Sequence, residues 1–304
     1  MLKTALAALA IASGFAMQLP AAPVHRLLFF TKSSSYEHSV ISWKKGQPSL
    51  AEKVFLDLGA KNSWEFVFSK DGSKFSPEYL AGFDAVIFYT SGDLTITGTD
   101  QQPAMTPAGK QALFDYVKGG KGFIGLHSAS DTFHTNSEAQ KGPDRYKNHG
   151  PAADPYICMT GGEFIIHGAQ QVATNKVIDP KFPGFETAGD SFAFNEEWYS
   201  LKEFNPDIHC LTVIDSPKMT GAPYQRPAYP TTWARAEGKG RVYYTAMGHR
   251  DDIWANPVYQ AMLVGAIRWV TRDVDAAVTP NLASAAPQAT TNPPYVEPKP
   301  APAK

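Results

Sequence analysis

Short, almost wholly apolar runs recur along this chain and alternate with segments of helical period. Val24-His-Arg-Leu-Leu-Phe-Phe30, Phe83 to Tyr89 and Gly122 to Leu126 are bounded by Gly, Ser and Asp, and they read as buried strands of a parallel sheet. Trp64 to Phe68 alternates as a further strand. Between the strands, Leu50, Val54, Phe55 and Leu58 share one helical face, and Gly59 reads as the helix stop. Ser76-Pro77 opens a helical turn with a Ser cap and Pro at the first helical position, and Thr106 opens a helix to Val117 that Gly119-Gly120 ends. Strands alternating with helices predict an α/β fold, a doubly wound and mostly parallel sheet.

The second half is less regular. Phe133 to Met159 is polar and aperiodic, so it predicts a long inserted loop acting as a lid or specificity element. Gly161-Gly-Glu-Phe-Ile-Ile-His167 resumes as a strand in which Glu163 and His167, four residues apart, share a face. Phe192 to Tyr199 and Ile208 to Ile214 are further strands. Thr231 to Arg235 and Arg241 to Thr245 form a pair joined by the turn Glu237-Gly-Lys-Gly240. Asn256-Pro257 opens the closing helix, with Tyr259, Met262, Leu263, Ala266, Ile267 and Val270 on its buried face.

Neither end of the 304-residue chain reads as part of this fold. Residues 1–22 begin with a charge and continue as an Ala-rich apolar run too short to span a membrane, the pattern of a secretory signal peptide cleaved between Ala16 and Ala22. The mature protein is therefore expected to be exported, periplasmic or extracellular, with no membrane span. Residues 279–304 are dense in Pro and Ala and read as a disordered tail, leaving one domain over 24–275. A net charge of −1 without basic runs argues against a nucleic-acid partner. Cys158 and Cys210 fit no zinc or redox spacing, and whether they pair is open. No nucleotide cofactor is evident.

Candidate chemistry gathers at strand ends. His38, His127 and His249 each follow a strand at its carboxyl end, where open α/β sheets bind ligands. His127 lies between Gly125 and Ala129, the small-x-residue-x-small spacing of a strained strand-to-helix elbow, and can act there as a metal ligand or a proton-transfer group. Asp131 would face the same way if a helix starts at the elbow, ligating the same ion or orienting the imidazole. Glu196-Glu197 is a pair of acids beside aromatics, suited to split proton donor and acceptor roles or to a hard metal. His167 is a further candidate ligand. Tyr36, Trp198, Tyr199 and Trp233 are candidates to offer flat faces to a sugar ring.

Taken together, Tyr36-Glu-His38, Gly125-Leu-His127-Ser-Ala-Ser-Asp131-Thr-Phe133, Gly161-Gly-Glu-Phe-Ile-Ile-His167, Glu196-Glu197-Trp198-Tyr199, Arg226-Pro227 with Thr232-Trp233, and Gly238 to His249 resemble the ThuA-like, trehalose-utilisation family. The resemblance spans about Val24 to Val270. It implies a flavodoxin-like sheet of the class I glutamine amidotransferase type and a role in carbohydrate metabolism on a glycoside or keto-sugar. Amidotransferase activity does not carry over, because that chemistry needs a Cys at the elbow and this elbow holds His127. The leading expectation is an exported sugar-processing enzyme. In it His127 and His249, helped by His38 and either Glu197 or Asp131, hold a divalent ion such as Zn or Mn or else perform acid/base catalysis. A non-catalytic carbohydrate-binding protein is the alternative. A serine hydrolase using Ser128 is a third reading, although Ser128 lies one position off the elbow.

Overall fold

Burial on both faces is what turns the apolar runs into strands. β1 (His25–Phe30), β2 (Trp64–Ser69), β3 (Ala85–Phe88) and β4 (Gly122–Leu126) pair in parallel, with Leu27 to Phe30 and all of β3 inaccessible to water. This computed structural model describes residues 25–44, 46–135 and 142–297; the expected signal peptide and residues 298–304 lie outside them. Past β4 come β5 (Glu163–His167), β6 (Gln171–Val177) and β7 (Ser191–Glu196). β8 (Tyr199–Lys202), β9 (His209–Ile214), β10 (Tyr229–Glu237) and β11 (Gly240–Thr245) follow. The main sheet has nine strands in the order β2-β1-β3-β4-β11-β10-β9-β6-β7. It is parallel from β2 to β11 and antiparallel beyond. β5 and β8 form a separate antiparallel pair.

Helices α1 (Leu50–Asn62), α2 (Pro77–Ala81), α3 (Pro107–Lys118), α4 (Pro155–Thr160), α5 (Asp251–Trp254), α6 (Pro257–Val270) and α7 (Leu282–Ala285) complete the described fold. α1 starts on a capping box: Ser49 Oγ accepts from Glu52 N at 3.3 Å, and Glu52 Oε2 accepts from Ser49 N at 2.7 Å. Such a cap is worth about 1 kcal/mol. The helix does not stop at Gly59 as its composition suggests. It continues to Asn62 and ends on left-handed Ser63, because Gly59 is needed where the chain packs back on Trp64, whose carbonyl would lie 2.8 Å from an added Cβ.

Two other expectations are corrected. Glu163 and His167 do not share a face. The register of β5 against β8 slips between Phe164 and Ile166, so Glu163 pairs across to Lys202 and His167 to Tyr199, residues of opposite parity on β8. The aperiodic loop also contains a helix, α4, capped by Asp154, which accepts from Tyr156 N at 2.8 Å.

The C-terminal segment is not a disordered tail as far as residue 297. Asn281 pairs with the β9 backbone, accepting from Cys210 N at 2.6 Å and donating to Cys210 O at 3.2 Å, and Ala286 and Ala289 are buried. Buried Arg226 donates to Ala289 O at 2.6 Å, while Asn292 Nδ2 donates to Tyr146 O at 2.7 Å. Small residues and Pro suit a strap that lies flat against the domain and is held by two Asn side chains and the Ala289 carbonyl. Deleting 279–304 removes these bonds and should lower stability by about 2–3 kcal/mol, seen calorimetrically as roughly 5–10 °C in Tm. An unchanged transition would reassign the strap as a passive passenger.

Candidate metal centre and active site

His127 is placed by backbone strain. It sits directly after β4 at φ 43°, opening a 3-10 turn over His127–Asp131 rather than an α-helix. A left-handed conformation at a non-glycine residue costs on the order of 1–2 kcal/mol and is retained where surrounding packing enforces it. A Cβ at Gly125 would lie 3.0 Å from the Tyr244 ring and 3.3 Å from Ala129 Cβ, so a side chain there would press on both. The buried imidazole donates through Nδ1 to Ala246 O at 2.8 Å. Because a carbonyl only accepts, that bond puts a proton on Nδ1 and turns Nε2 toward Glu197.

Glu196 is the scaffold and Glu197 the site group. The fully buried Glu196 carboxylate accepts from Glu197 N at 2.8 Å through Oε1, and from Gly248 N and His249 N at 2.9 and 3.1 Å through Oε2. One side chain thus clamps the end of β7 to the loop after β11. Across that clamp, Glu197 Oε2 lies 3.0 Å from His249 Nδ1 and 3.6 Å from His127 Nε2. The His38 ring stands 4.9 Å from that of His127 and 5.2 Å from that of His249. Each of His38, His127, Glu197 and His249 offers a ligand atom within 4.8 Å of the others.

These ring nitrogens are poorly served by the protein itself. His38 Nδ1, His127 Nε2 and His249 Nδ1 are buried without a hydrogen-bond partner, His249 being near Glu197 in distance but not in direction. Burial pushes the His38 pKa well below the usual value, and charge on His127 or His249 pushes it further down. Burial also opposes charge on Glu197, yet the His127 and His249 imidazoles beside it hold the carboxyl well below the usual carboxylate range. For His249, burial is outweighed by Glu197 and Glu196, and the pKa rises. An ionised carboxylate among imidazoles with orphaned nitrogens fits a divalent cation of borderline softness.

The group opens into a cleft of about 430 Å³ at the carboxyl ends of the parallel strands. Tyr199 forms its back, with its ring 4.1 Å from that of His127 and its hydroxyl 3.5 Å from His38 Nε2. Tyr36, 62% exposed, stands at the rim edge-on to His38. His167 is also at the rim, with Nδ1 3.4 Å from Glu197 Oε1. Asp131 lines the cleft but does not approach His127. Its Oδ1 accepts from His134 Nε2 at 2.7 Å, because the short 3-10 turn points it away from the elbow.

Trp198 and Trp233 are corrected as sugar platforms. Both are fully buried: Trp198 donates to Gln171 O at 3.1 Å, and Trp233 donates to Thr160 O at 2.8 Å and stacks on Tyr244. Ser128 is also fully buried, and its Oγ has no hydrogen-bond partner among the described residues, so no general base stands beside it as a serine hydrolase would need. Cys158 and Cys210 are free thiols. The sequence reading missed Phe164, Arg145 and His134. Arg145 and His134 lie in the loop singled out as a specificity element, but no periodicity there told which residues turn inward.

His134 joins Asp131 to Glu163, donating to Glu163 Oε1 at 2.8 Å through Nδ1. Burial opposes its charge, but the two carboxylates prevail and raise the pKa to about 9. A folded pKa above the ordinary 6.5 gives stability that is complete below pH 6.5 and is lost as pH climbs through 9, on the order of 3 kcal/mol. In urea titrations, the gap between wild type and His134→Gln should therefore be wide at pH 6 and closed near pH 10. A constant gap would mean the imidazole is neutral throughout.

Fold and site define an α/β protein of flavodoxin-like topology with an imidazole-carboxylate cleft over its parallel strands. The chain belongs to the ThuA family, described as trehalose utilisation, which matches residues 26–270. Membership gives it a carbohydrate-related role. Among solved structures, a ThuA-like protein from Bacteroides uniformis is 19% identical with a TM-score of 0.59, over 88% of this chain and 100% of that one. A second, from Parabacteroides merdae, is 15% identical with a TM-score of 0.51, over 84% and 93% of the two chains. At such identities the likeness is one of fold. No curated protein matches the sequence significantly.

Proposed function

We propose that the protein is an exported, metal-dependent enzyme acting on a glycoside or keto-sugar, with a divalent ion such as Zn or Mn held by His38, His127, His249 and Glu197. The observation that carries this reading is the set of three buried, unpartnered imidazole nitrogens converging with one ionised carboxylate. A bound ion supplies Lewis acidity toward a sugar carbonyl or hydroxyl oxygen. The protein's own groups do the rest. Ala246 O fixes His127 with Nε2 inward. Glu196 holds Glu197 and His249 in register. Tyr199 excludes water from behind the cluster. His167, 43% exposed at the rim and beside Glu197, is placed to pass a proton to solvent. Export rests on the charged and then apolar pattern of residues 1–22.

The test is elemental mass spectrometry on the dialysed mature protein, followed by turnover of glycosides and their keto derivatives with Zn or Mn added. Stoichiometric metal and metal-dependent turnover are expected. Saturable sugar binding without turnover under any metal would replace the enzyme by a carbohydrate-binding protein, and absence of metal uptake would dismiss the centre.

A further inference from the structure

The wall of the same cleft carries an ion pair that the proposed chemistry does not use. Arg145 and Asp131 both line the cleft, with side chains 25% and 16% exposed, and Arg145 Nη2 lies 4.0 Å from Asp131 Oδ1. The guanidinium sits 5.0 Å over the Phe164 ring, and Phe164 in turn packs 4.1 Å from Tyr199, so the planar group lies on a wall continuous with the back of the site.

Both partners are held from behind. Asp131 Oδ1 takes the bond from His134, which is anchored on Glu163; Glu163 accepts from Thr135 Oγ1 at 3.1 Å and lies 3.6 Å from Lys202 Nζ. Arg145 belongs to a 3-10 turn, Pro143–Tyr146. That turn is tied by Lys202 Nζ donating to Lys147 O at 2.8 Å, by His149 N donating to Glu203, and by Asn292 of the C-terminal strap donating to Tyr146 O. An acceptor and a planar donor fixed side by side at a cleft wall are preorganised for a ligand that offers a donor and an acceptor at the same spacing.

Resting on the carbohydrate reading above, we infer that Asp131 and Arg145 read two neighbouring hydroxyls of a neutral sugar, and that the cleft rejects the phosphorylated form. One hydroxyl donates to the Asp131 carboxylate and its neighbour accepts from the Arg145 guanidinium. Charge sets the second half of the inference. Arg145 is the one Lys or Arg lining the cleft among the described residues, and it is already matched to a carboxylate. A phosphate brought to the guanidinium meets Asp131 within the same few ångströms, and such like-charge contact is how a site excludes a competitor.

The experiment is calorimetric binding to the full mature chain saturated with zinc, using glucose, maltose and trehalose alongside their 6-phosphates. At least one neutral sugar should bind about tenfold or more tightly than its phosphate. Arg145→Gln and Asp131→Asn should each weaken that sugar by about tenfold or more, the loss expected for a hydrogen bond to a charged group, while zinc content stays that of the wild type; Arg145→Gln should also keep the wild-type Tm in zinc, whereas Asp131→Asn gives up part of the stability that His134 gains from its carboxylates. Arg145→Lys keeps the charge but loses the fork, and should recover only part of the affinity. Phosphates binding as well as or better than neutral sugars, or variants binding like the wild type, overturn the inference and leave the metal centre standing. A zinc-loaded wild type that binds none of the sugars overturns the carbohydrate reading itself.

Discussion

Replacing His127 with alanine should abolish stoichiometric zinc binding and all metal-dependent turnover while the chain stays folded. Changes to groups that merely orient a metal ligand cost roughly 10- to 100-fold in affinity, and His127 is itself placed as a ligand, so a larger loss is expected. Heat denaturation gives a readout independent of substrate. Zinc at about a hundred times its Kd stabilises the native state by about 2.7 kcal/mol, which for a domain of this size raises Tm by roughly 5–10 °C. The variant should show none of that rise. Alanine also leaves a cavity and strips the Ala246 carbonyl of its donor, at a cost of about 2–4 kcal/mol, so the comparison is the zinc-dependent shift and not the absolute Tm. His127→Asn, which tolerates the left-handed backbone at φ 43°, should repeat the loss with a smaller structural penalty. Normal zinc content in both variants would remove His127 from the centre.

Glu196→Ala carries the second largest expected effect, although Glu196 touches neither cleft nor ion. Its carboxylate satisfies the backbone N–H groups of Glu197, Gly248 and His249 in a fully buried position. Alanine strands all three donors, and a loss of about 3–5 kcal/mol follows, or roughly 10–15 °C in Tm. Because the same bonds register Glu197 against His249, zinc affinity should fall as well. Glu196→Gln retains an acceptor oxygen for part of the set and should fall between alanine and wild type in both measurements. A Glu196→Ala protein that melts with the wild type and binds zinc normally would refute the clamp.

Much of the site was legible because strand ends leave a mark in the sequence. An apolar run that breaks into small and polar residues announces the carboxyl end of a buried strand, and His38, His127 and His249 each follow such a break. The elbow was legible for a steric reason: a side chain at 125 would press on the Tyr244 ring and on Ala129 beside a left-handed His127. Glu197 was legible as one of a pair, but not its division of labour with Glu196. Which of two adjacent carboxylates turns inward depends on the loop after β11, far away in sequence. The two tryptophans misled because an indole packed in a core and an indole lining a cleft have the same neighbours in sequence, and only burial separates them. The strap misled for the opposite reason. Pro- and Ala-rich composition lacks the large apolar groups that build a core, yet Asn281, Asn292 and the backbone of Ala289 suffice to hold it on an existing one.

By itself, the sequence determined the α/β alternation, the parallel core and the gathering of histidines at one end of the sheet, since these follow from local periodicity and from residues close to strand breaks. Tertiary structure alone decided the rest. It set the slip in β5 that separates Glu163 from His167, the assignment of Glu197 to the cluster and Asp131 to His134, and the delivery of Arg145 to the cleft by a loop tied to the C-terminal strap. Each of those depends on hydrogen bonds and packing between segments distant along the chain, and no local pattern encodes which of several compatible partners a side chain meets.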